Sequence, residues 1–500
     1  MRCSLTKNVG FFIVFLNVVL VYYTWKTFNS YEPLKSKLFE TKAVKSIISK
    51  SSINHVSKST TVVIRDFELH ENDVSATVQS FIKVFPNIQI IILSRGLPYP
   101  PLQFHGNETV RNVKVINLAA KFDVPYQSNP LSLIKTNYVL FVPDSSRILH
   151  RQYIQTMINH LNSGEKMVAV GYSQSKNLTC LQANLTLREW SLKFKTVKDD
   201  CDFVQGKHAM MIDLGTLNKL NDPFLLPSPH SIYLQTTYFK LKVKILYGIQ
   251  FQDGKPLFHS HHSQKLKIKS DQDKFKKLYQ RFNVKRVRKE NGMVENYGCN
   301  RDTARCFGSI INYTPSYIYE NKTMPPCCLA NLRRTAQHVF NTLHESGIRH
   351  WLEIGSLIGA MRTGDVIPWD FDVDIGFNRD DLARCTWLKR ASSKPIVDAK
   401  GFLWERATEG NFYRVHFSKA NRVHVNLLPF YARNGSMLKD AWFTSMGMDF
   451  PEHFLHPMSS IEFLGRQVPS PNNIRDFLEL KFGRGIVENA HYPDFKFKFT

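Results

Sequence analysis

Short apolar runs alternate with longer amphipathic stretches between residues 60 and 290 of this chain. The apolar runs have the length of buried strands, and the clearest are Thr61 to Ile64, Ile88 to Leu93, Tyr138 to Val142 and Met167 to Gly171. Between them, the stretches 73–84 and 150–161 repeat their apolar residues with helical spacing. Strands that alternate with helices predict a mostly parallel sheet, so we expect an α/β domain here.

The pattern after residue 291 predicts a second domain with an α+β arrangement. An apolar stripe at 329–343 has helical spacing, and a short strand, His350 to Ile354, follows it. Gly355 and Ser356 then turn the chain into an amphipathic stretch that Gly364 ends. Paired strands are expected at 412–417 and 423–429, and a capped helix is expected between Asn473 and Gly483.

The stretch W-D-F-D-V-D-I-G at 369–376 carries the most specific chemical signal. Asp370, Asp372 and Asp374 alternate with apolar residues, so an extended backbone places their carboxylates on one face. Closely spaced acidic residues are unfavourable in a buried strand unless a cation compensates their charge. Mg²⁺ binds one or two carboxylates together with substrate phosphates, so this stretch predicts a magnesium site.

The Gly355-Ser356 turn adds a phosphate site to this prediction. A helix that begins at Ser356 has unbonded backbone N–H groups and the positive end of its dipole there, and both attract phosphate. A Gly-Ser turn followed by Asp-x-Asp resembles the signature of the nucleotidyltransferase fold. The resemblance implies that the metal and the helix N-terminus hold one phosphate from two sides.

An apolar run near the N-terminus predicts a membrane anchor. Residues 9–23 are almost all apolar and end beside Tyr22, Tyr23 and Trp25, which are typical of a membrane interface. No small-x-small cleavage site follows, which disfavours a cleaved signal peptide. We therefore expect a type II signal anchor over 8–25 between a cytosolic tail over 1–7 and a linker over 26–59, with the remainder luminal.

Sequons and charge fit a luminal protein that handles anions. Asn107, Asn177 and Asn184 head N-x-Ser/Thr triplets and are candidate glycosylation sites. The formal net charge is +24 at pH 7. A luminal chain does not meet nucleic acid, so we expect the excess positive charge to suit a phosphate-bearing glycan or nucleotide.

Two groups of cysteines are expected to have structural roles. Cys180 and Cys201 are expected to form a disulfide in an oxidising compartment. The second group fits a four-thiolate zinc site and two disulfides equally well, and its members are Cys299, Cys306, Cys327 and Cys328. Consecutive cysteines bond to each other only with strain, so in the disulfide alternative each of the last two pairs with one of the first two.

The domain at 60–290 resembles a GT-A-type glycosyltransferase domain that lacks the metal site. In that type, the strand similar to Tyr138 to Val142 ends in Asp-x-Asp, whereas here it continues into Pro143-Asp144-Ser145. A single aspartate makes a poor metal site. We therefore expect this domain to have a structural or acceptor-positioning role.

Several longer segments closely resemble the fukutin-related protein family. They are Y-G-C-N-R-D-T-A-R-C-F-G at 297–308, P-P-C-C-L at 325–329, W-L-E-I-G-S-L-I-G-A-M-R at 351–362, G-D-V-I-P-W-D-F-D-V-D-I-G at 364–376, F-P-E-H-F-L-H-P at 450–457 and P-N-N-I-R-D-F-L-E-L-K-F-G at 471–483. R-D-F-E at 65–68, L-P-Y-P-P-L at 97–102 and L-T-L-R-E-W at 185–190 resemble the stem domain of that family. The likeness covers nearly the whole chain, and fukutin and the LicD-type phosphocholine transferases are wider relatives.

This resemblance implies a Golgi ribitol-5-phosphate transferase with a LicD-like catalytic domain over 291–500. The donor would be CDP-ribitol and the acceptor the ribitol-phosphate-capped O-mannosyl glycan of α-dystroglycan, with release of CMP. The resemblance also implies a homo-oligomer, association with fukutin and other O-mannosylation enzymes, and a zinc loop over 299–328 built on the four cysteines there.

The family's chemistry implies roles for individual residues. Asp370, Asp372 and Asp374 would hold Mg²⁺ or Mn²⁺ against the donor diphosphate while an acceptor hydroxyl attacks the distal phosphorus. One aspartate would accept the hydroxyl proton. The groups assigned to substrate binding are Gly355, Ser356, Arg362, Glu405, Arg414 and Asn426.

Asn426 departs from the family pattern. The corresponding strand of the family reads H-V-D-x-x-P-F, whereas residues 424–430 read H-V-N-L-L-P-F. An amide oxygen ligates Mg²⁺ but carries no charge and cannot act as a base. Two alternatives therefore stay open: transfer of another CDP-linked phosphoalcohol, such as phosphocholine or glycerol phosphate, and a noncatalytic glycan-binding or assembly role.

Overall fold

The computed structural model describes residues 17–26, 50–104, 111–118, 130–173, 178–311, 314–440 and 449–489. Residues 17–26 are helical, and the rest of the predicted anchor, 8–16, lies outside these ranges. Within them, no helix has both the length and the apolar character needed to cross a membrane. Of the candidate glycosylation sites, Asn184 is exposed on a strand, and Asn107 and Asn177 lie outside the described residues.

The region up to residue 296 is built mainly on strands. In chain order they are β1 (Thr60–Ile64), β2 (Gln89–Ser94), β3 (Val113–Asn117), β4 (Tyr138–Val142), β5 (Ser146–Arg147), β6 (Met167–Gly171), β7 (Thr179–Thr186), β8 (Ser191–Thr196), β9 (Phe203–Gln205), β10 (His208–Asp213), β11 (Val243–Ile245), β12 (Gln252–Asp253), β13 (Arg286–Arg288) and β14 (Val294–Asn296). The helices are α1 (Lys50–Ser59), α2 (Val74–Val84), α3 (Gln152–Asn162), α4 (Leu214–Leu217), α5 (His230–Tyr238) and α6 (His261–Arg281).

The predicted, mostly parallel sheet is confirmed in this region. Its strand order is β11-β6-β10-β4-β1-β2-β3, and only β10 runs antiparallel to its neighbours. The described residues between β6 and β10 form no α-helix. Instead, the chain forms the strands β7, β8 and β9 of a second sheet, ordered β14-β13-β8-β7-β9, and then returns. Tyr138–Val142 and Met167–Gly171 have the predicted bounds, because uninterrupted apolar runs leave little choice of strand ends.

The region after residue 296, which the resemblance implies to be catalytic and which is called the catalytic region below, has a different arrangement. Its strands are β15 (Ile310–Ile311), β16 (Thr314–Pro315), β17 (His350–Leu352), β18 (Asp372–Asn378), β19 (Ile396–Val397), β20 (Leu403–Arg406), β21 (Tyr413–His416), β22 (His424–Arg433), β23 (Ser436–Lys439), β24 (Phe450–Pro451), β25 (Ser459–Phe463) and β26 (Arg466–Ser470). Its helices are α7 (Ser316–Tyr319), α8 (Pro326–Glu345), α9 (Ile354–Thr363), α10 (Thr386–Ala391) and α11 (Ile474–Phe482).

One eight-stranded sheet organises the catalytic region. Its main path is β17-β18-β22-β21-β20-β19, with β23 paired to β22 and β24 to β23. The central pair, β18 and β22, is parallel, and the neighbouring pairs are antiparallel. Trp351 of β17 pairs with Gly376 of β18, and a Cβ atom at Gly376 would lie 2.5 Å from the tryptophan ring, so only glycine leaves room for the ring there.

All six cysteines of the two predicted groups form disulfides in the structure, and Cys385 is free and buried. Cys180 is bonded to Cys201, which confirms that prediction. Cys299 is bonded to Cys327 and Cys306 to Cys328. The structure therefore contains the disulfide alternative for loop 299–328 and not the zinc loop that the resemblance implies. Spacing left both arrangements open because each requires the same four sulfur atoms to converge.

Candidate active site

The sheet register brings the predicted polar residues into two rows on one face. Asp374 on β18 pairs with Asn426 on β22, Asn426 with Arg414 on β21, and Arg414 with Glu405 on β20. One step along the same face, Asp372 pairs with His424, and His424 pairs with His416. Residues that are far apart in sequence therefore meet because their strands are neighbours.

Asp370 joins Asp372 and Asp374 from outside the strand. β18 begins only at Asp372, and Asp370 ends a turn in which its N–H donates to the carbonyl of Ile367 at 2.9 Å. Asp370 and Asp372 share a side-chain hydrogen bond. A Cβ atom at Gly355 would lie 2.7 Å from Oδ2 of Asp370, so glycine is required there for this close approach.

Burial changes the protonation of the three carboxyl groups. It is the largest cause that raises the pKa of each, and for Asp370 and Asp374 the negative charge of Asp372 is the next cause. Hydrogen bonds from Asp370 and Asn426 oppose the rise at Asp372. Without a bound cation, the group therefore retains protons at a pH where exposed aspartates have lost theirs.

Asn426 contacts both strand carboxylates through its amide nitrogen. Nδ2 donates to Oδ2 of Asp372 and to Oδ1 of Asp374, each at 2.9 Å, and the side chain is buried. Nε of Arg414 donates to Oδ1 of Asn426 at 3.2 Å, which orients the amide, and Arg414 also pairs with Glu409 at 2.5 Å. The amide thus offers its NH₂ group, and not its oxygen, to the carboxylates.

The Gly-Ser turn forms the first turn of α9. The helix begins at Ile354 and not at Ser356 as predicted, because the carboxylate of Glu353 acts as N-cap and accepts from the N–H of Ile354. The hydroxyl of Ser356 accepts from the N–H of Asp374 at 2.8 Å, which ties the helix to β18. Among the described residues, the N–H groups of Gly355 and Ser356 have no hydrogen-bond partner. They are available to a phosphate beside the carboxylates.

Arg362 and Glu405 have other partners in the structure. Arg362 donates to the backbone carbonyls of Ile486, Val487 and Asn489, so it holds the chain after α11 instead of facing the carboxylates. Glu405 accepts from His416 and Arg422, each at 2.9 Å. Arg414 is thus the predicted cation that contacts the site, through Asn426.

The two strand carboxylates fit a magnesium ion whose remaining ligands come from the substrate. In the part of the chain that the structure describes, no three acidic, histidine or cysteine side chains form a metal-binding group. Asp372 and Asp374 are nevertheless neighbouring buried carboxyls that share one neutral donor, Asn426, and Arg414 reaches them only through this amide. Two carboxylates with phosphate oxygens are the usual ligands of Mg²⁺.

Comparison with known proteins decides the family. A model of the fukutin-related protein stem domain matches residues 47–290, and a model of the LicD/FKTN/FKRP nucleotidyltransferase domain matches residues 347–473. The ribitol 5-phosphate transferase FKRP of Homo sapiens is 37% identical over 439 residues, which are 87% of this chain and 88% of that protein. The chain belongs to the fukutin-related protein family.

Other relatives are similar over different lengths. The ribitol 5-phosphate transferase FKRP of Mus musculus is also 37% identical over 439 residues, with the same coverage. Protein RP689 of Rickettsia prowazekii is 27% identical over 144 residues, which are 26% of this chain and 46% of that protein. The 4-diphosphocytidyl-2C-methyl-D-erythritol synthase of Anaerococcus prevotii matches at 9% identity with a TM-score of 0.26, covering 44% of this chain and 98% of that one.

Two histidines near the aspartates were not among the residues predicted from the sequence. Nε2 of His424 lies 3.9 Å from Oδ2 of Asp372, and the ring of His416 lies 5.2 Å from that of His424. Burial is the largest cause that holds the pKa of His424 well below its usual value. The alternation of faces along an extended strand, which groups Asp372 and Asp374, also places His424 and Asn426 on one face of β22. This pattern could have identified His424 as a neighbour of the aspartates.

Proposed function

We propose that this protein transfers ribitol 5-phosphate from CDP-ribitol to the ribitol-phosphate-capped O-mannosyl glycan of α-dystroglycan and releases CMP. The main support is the juxtaposition of two buried carboxylates with the unbonded N–H groups of Gly355 and Ser356, inside a LicD/FKTN/FKRP nucleotidyltransferase domain. The second support is 37% identity, along 87% of the chain, to a ribitol 5-phosphate transferase.

The residues divide the work of phosphoryl transfer. Asp372 and Asp374 would hold Mg²⁺ or Mn²⁺, which when bound neutralises charge on the donor diphosphate. The N–H groups of Gly355 and Ser356 donate to the same diphosphate from the start of α9. Asp370 is the least buried of the three carboxyls and lies outside β18, so it is the group proposed to accept the proton of the acceptor hydroxyl.

The stem region is proposed to position the acceptor. It contains a cavity of about 870 Å³ between the second sheet and α6. Half-buried rings, those of Phe194, Phe275 and Tyr297, line this cavity, and Gln205 and Gln272 add amide groups at its rim. Aromatic faces and amides are suited to bind the rings and hydroxyls of a glycan, and this volume falls in the range of small-molecule sites.

The cellular location is also a proposal. We propose a type II Golgi membrane protein with the stem and the catalytic region in the lumen. The apolar run at 9–23 supports the anchor. The Cys180–Cys201 disulfide supports an oxidising compartment.

Zinc is proposed as a structural cofactor of loop 299–328 in place of the two disulfides. The four cysteines are all buried, and because Cys327 and Cys328 are consecutive, the two bonded pairs lie side by side. Once reduced, they form a four-thiolate donor set. Thiol titration of the denatured chain, without reductant, together with metal analysis tests this. We expect six thiols and one zinc per chain, whereas two thiols and no zinc would show that the disulfides persist.

The test of the proposed activity is CMP release by the purified full chain with CDP-ribitol, a ribitol-phosphate-capped acceptor and Mg²⁺. We expect release that EDTA abolishes and that Asp372→Ala lowers by at least about a hundredfold, since it removes a metal ligand. CDP-choline and CDP-glycerol in place of CDP-ribitol test the other donors. If the parent chain is inactive and Asn426→Asp releases CMP, the natural chain is noncatalytic and has a binding or assembly role.

A further inference from the structure

A turn of the stem reaches into the catalytic region. Leu187–Glu189 form a short 3-10 helix, and Trp190 ends it with a left-handed backbone, φ 55°. The carbonyl of Trp190 accepts from the N–H groups of Lys285 and Arg286 at 2.8 and 3.0 Å. The backbone of Trp190 thus holds the turn to the rest of the stem, and the side chain of Trp190 is not needed for this attachment.

The side chain of Trp190 is anchored in the catalytic region. It is 8% exposed and belongs to the same hydrophobic cluster as Phe307, Tyr317 and Met324. Its Nε1 donates to the carbonyl of Thr323 at 2.8 Å. Thr323 returns two hydrogen bonds to the stem, because its N–H and its Oγ1 both donate to the carbonyl of Arg188, at 3.1 and 3.0 Å.

The segment that Trp190 holds also supports the turn before the acidic strand. The N–H of Met324 donates to the carbonyl of Pro368 at 2.8 Å. The hydroxyl of Tyr317 donates to the carbonyl of Trp369 at 2.9 Å. Both acceptors directly precede Asp370. Hydrogen bonds therefore link the stem, through Thr323 and Met324, to the backbone just before Asp370, the one of the three aspartates that lies outside β18.

Asp370 has little freedom to tolerate a shift of that turn. Its Oδ2 lies so close to the start of α9 that a Cβ atom at Gly355 would be 2.7 Å away. Because Asp370 precedes β18, no strand hydrogen bonds correct its position. Displacements of about 1 Å at a reacting group cost up to about a hundredfold in rate.

We infer that Trp190 of the stem is a positioning residue for the reaction, because it fixes the 322–324 segment that places Asp370. The stem then contributes to the chemical step and not only to acceptor binding. The kinetic test of this inference rests on the proposed function, whereas the structural test does not depend on it.

The test compares Trp190→Phe with Trp404→Phe in the full chain. Both substitutions keep a buried ring and remove one indole N–H, since Nε1 of Trp404 donates to Asp398 at 2.9 Å. Trp404 has no hydrogen bond to 317–324, so Trp404→Phe is the matched control. For Trp190→Phe we expect kcat for CMP release to fall about tenfold with KM for CDP-ribitol changed less than twofold. Thr323→Val, which removes one bond to Arg188, is expected to have the same effect to a smaller degree.

Hydrogen exchange supplies the readout that does not need activity. In Trp190→Phe we expect peptides that cover 322–326 and 366–371 to exchange several-fold faster, and in Trp404→Phe we expect them to be unchanged. Equal losses of kcat in the two variants, or unchanged exchange in Trp190→Phe, would overturn the inference. If the parent releases no CMP, the proposed function fails, and the exchange comparison still decides whether Trp190 holds the turn.

Discussion

Asp372 and Asp374 lie side by side on β18 with one amide group, that of Asn426, donating to both. Two buried carboxylates repel each other, and a neutral donor reduces this repulsion only in part. The residue that departs from the family pattern thus compensates charge in the structure. An aspartate at position 426 would remove this donor and add a fourth carboxyl to the three aspartates, so the site would need a cation more.

The three aspartates should lower the stability of the metal-free protein at neutral pH. The three carboxyls have folded pKa values above their unfolded values, so folding takes up protons. Their contribution to stability is complete below the unfolded pKa, about 4, and is lost as the pH rises towards the folded values. In EDTA at pH 7.5 we expect Asp374→Asn to raise the melting temperature by roughly 2 °C or more, the shift caused by about 1 kcal/mol.

Two comparisons separate this effect from a general gain in stability. At pH 4 the difference between Asp374→Asn and the parent should shrink, and saturating Mg²⁺ should stabilise the parent more than the variant. Asp302→Asn removes an exposed carboxylate of the same region and should leave the melting temperature unchanged. A rise that is equal at both pH values would contradict the proposed cause.

At the scale of elements, α11 closes over the start of α9. Nζ of Lys481 lies 2.7 and 2.8 Å from the two carboxylate oxygens of Glu353, the N-cap of α9, and both side chains are almost completely buried. Nζ also lies 4.5 Å from the ring centres of Phe450 and Phe477. The helix terminus that faces the carboxylates is therefore positioned by an ion pair between distant parts of the chain.

Breaking this pair on one side should be costly. Lys481→Met leaves the charge of Glu353 buried and unpaired, so we expect a loss of about 3–5 kcal/mol in the free energy of unfolding, measured in urea. Lys481→Met combined with Glu353→Gln should recover most of the loss, because no buried charge remains and Gln still accepts from Trp351. The exposed pair Lys289–Glu295 is the control, and Lys289→Met should cost less than about 1 kcal/mol. Simple additivity of the two buried substitutions would argue against the pair.

At the scale of the whole molecule, one stem residue, Trp190, lies in the core of the catalytic region. Trp190 belongs to the hydrophobic cluster of the catalytic region although its backbone is bonded to the stem. Such a contact resists relative motion of the two regions more than a polar interface does. The placement of Asp370 therefore depends on residues that are nearly two hundred positions away in sequence.

The strands and helices predicted from hydrophobic periodicity are confirmed because that periodicity is a local property of the chain. Uninterrupted apolar runs define β4 and β6, and Gly364 ends α9 as predicted, with a left-handed backbone. The start of α9 was placed two residues late, since Glu353 was not recognised as a cap before a Gly-Ser pair. The family resemblance implied a substrate-binding role for Arg362, whereas its partners in the structure belong to the chain after α11.

The sequence by itself determined that Asp372 and Asp374 lie on one face of a strand, because this alternation is a property of an extended backbone, whereas Asp370 lies in the turn before that strand. It also determined the family, because long segments match. The tertiary structure alone decided that Asn426, Arg414 and His424 join the aspartates, since strand order and register depend on packing over long distances. It likewise decided that Lys481 fixes Glu353 and that Trp190 reaches the turn before Asp370, because such contacts have no periodic signature along the chain.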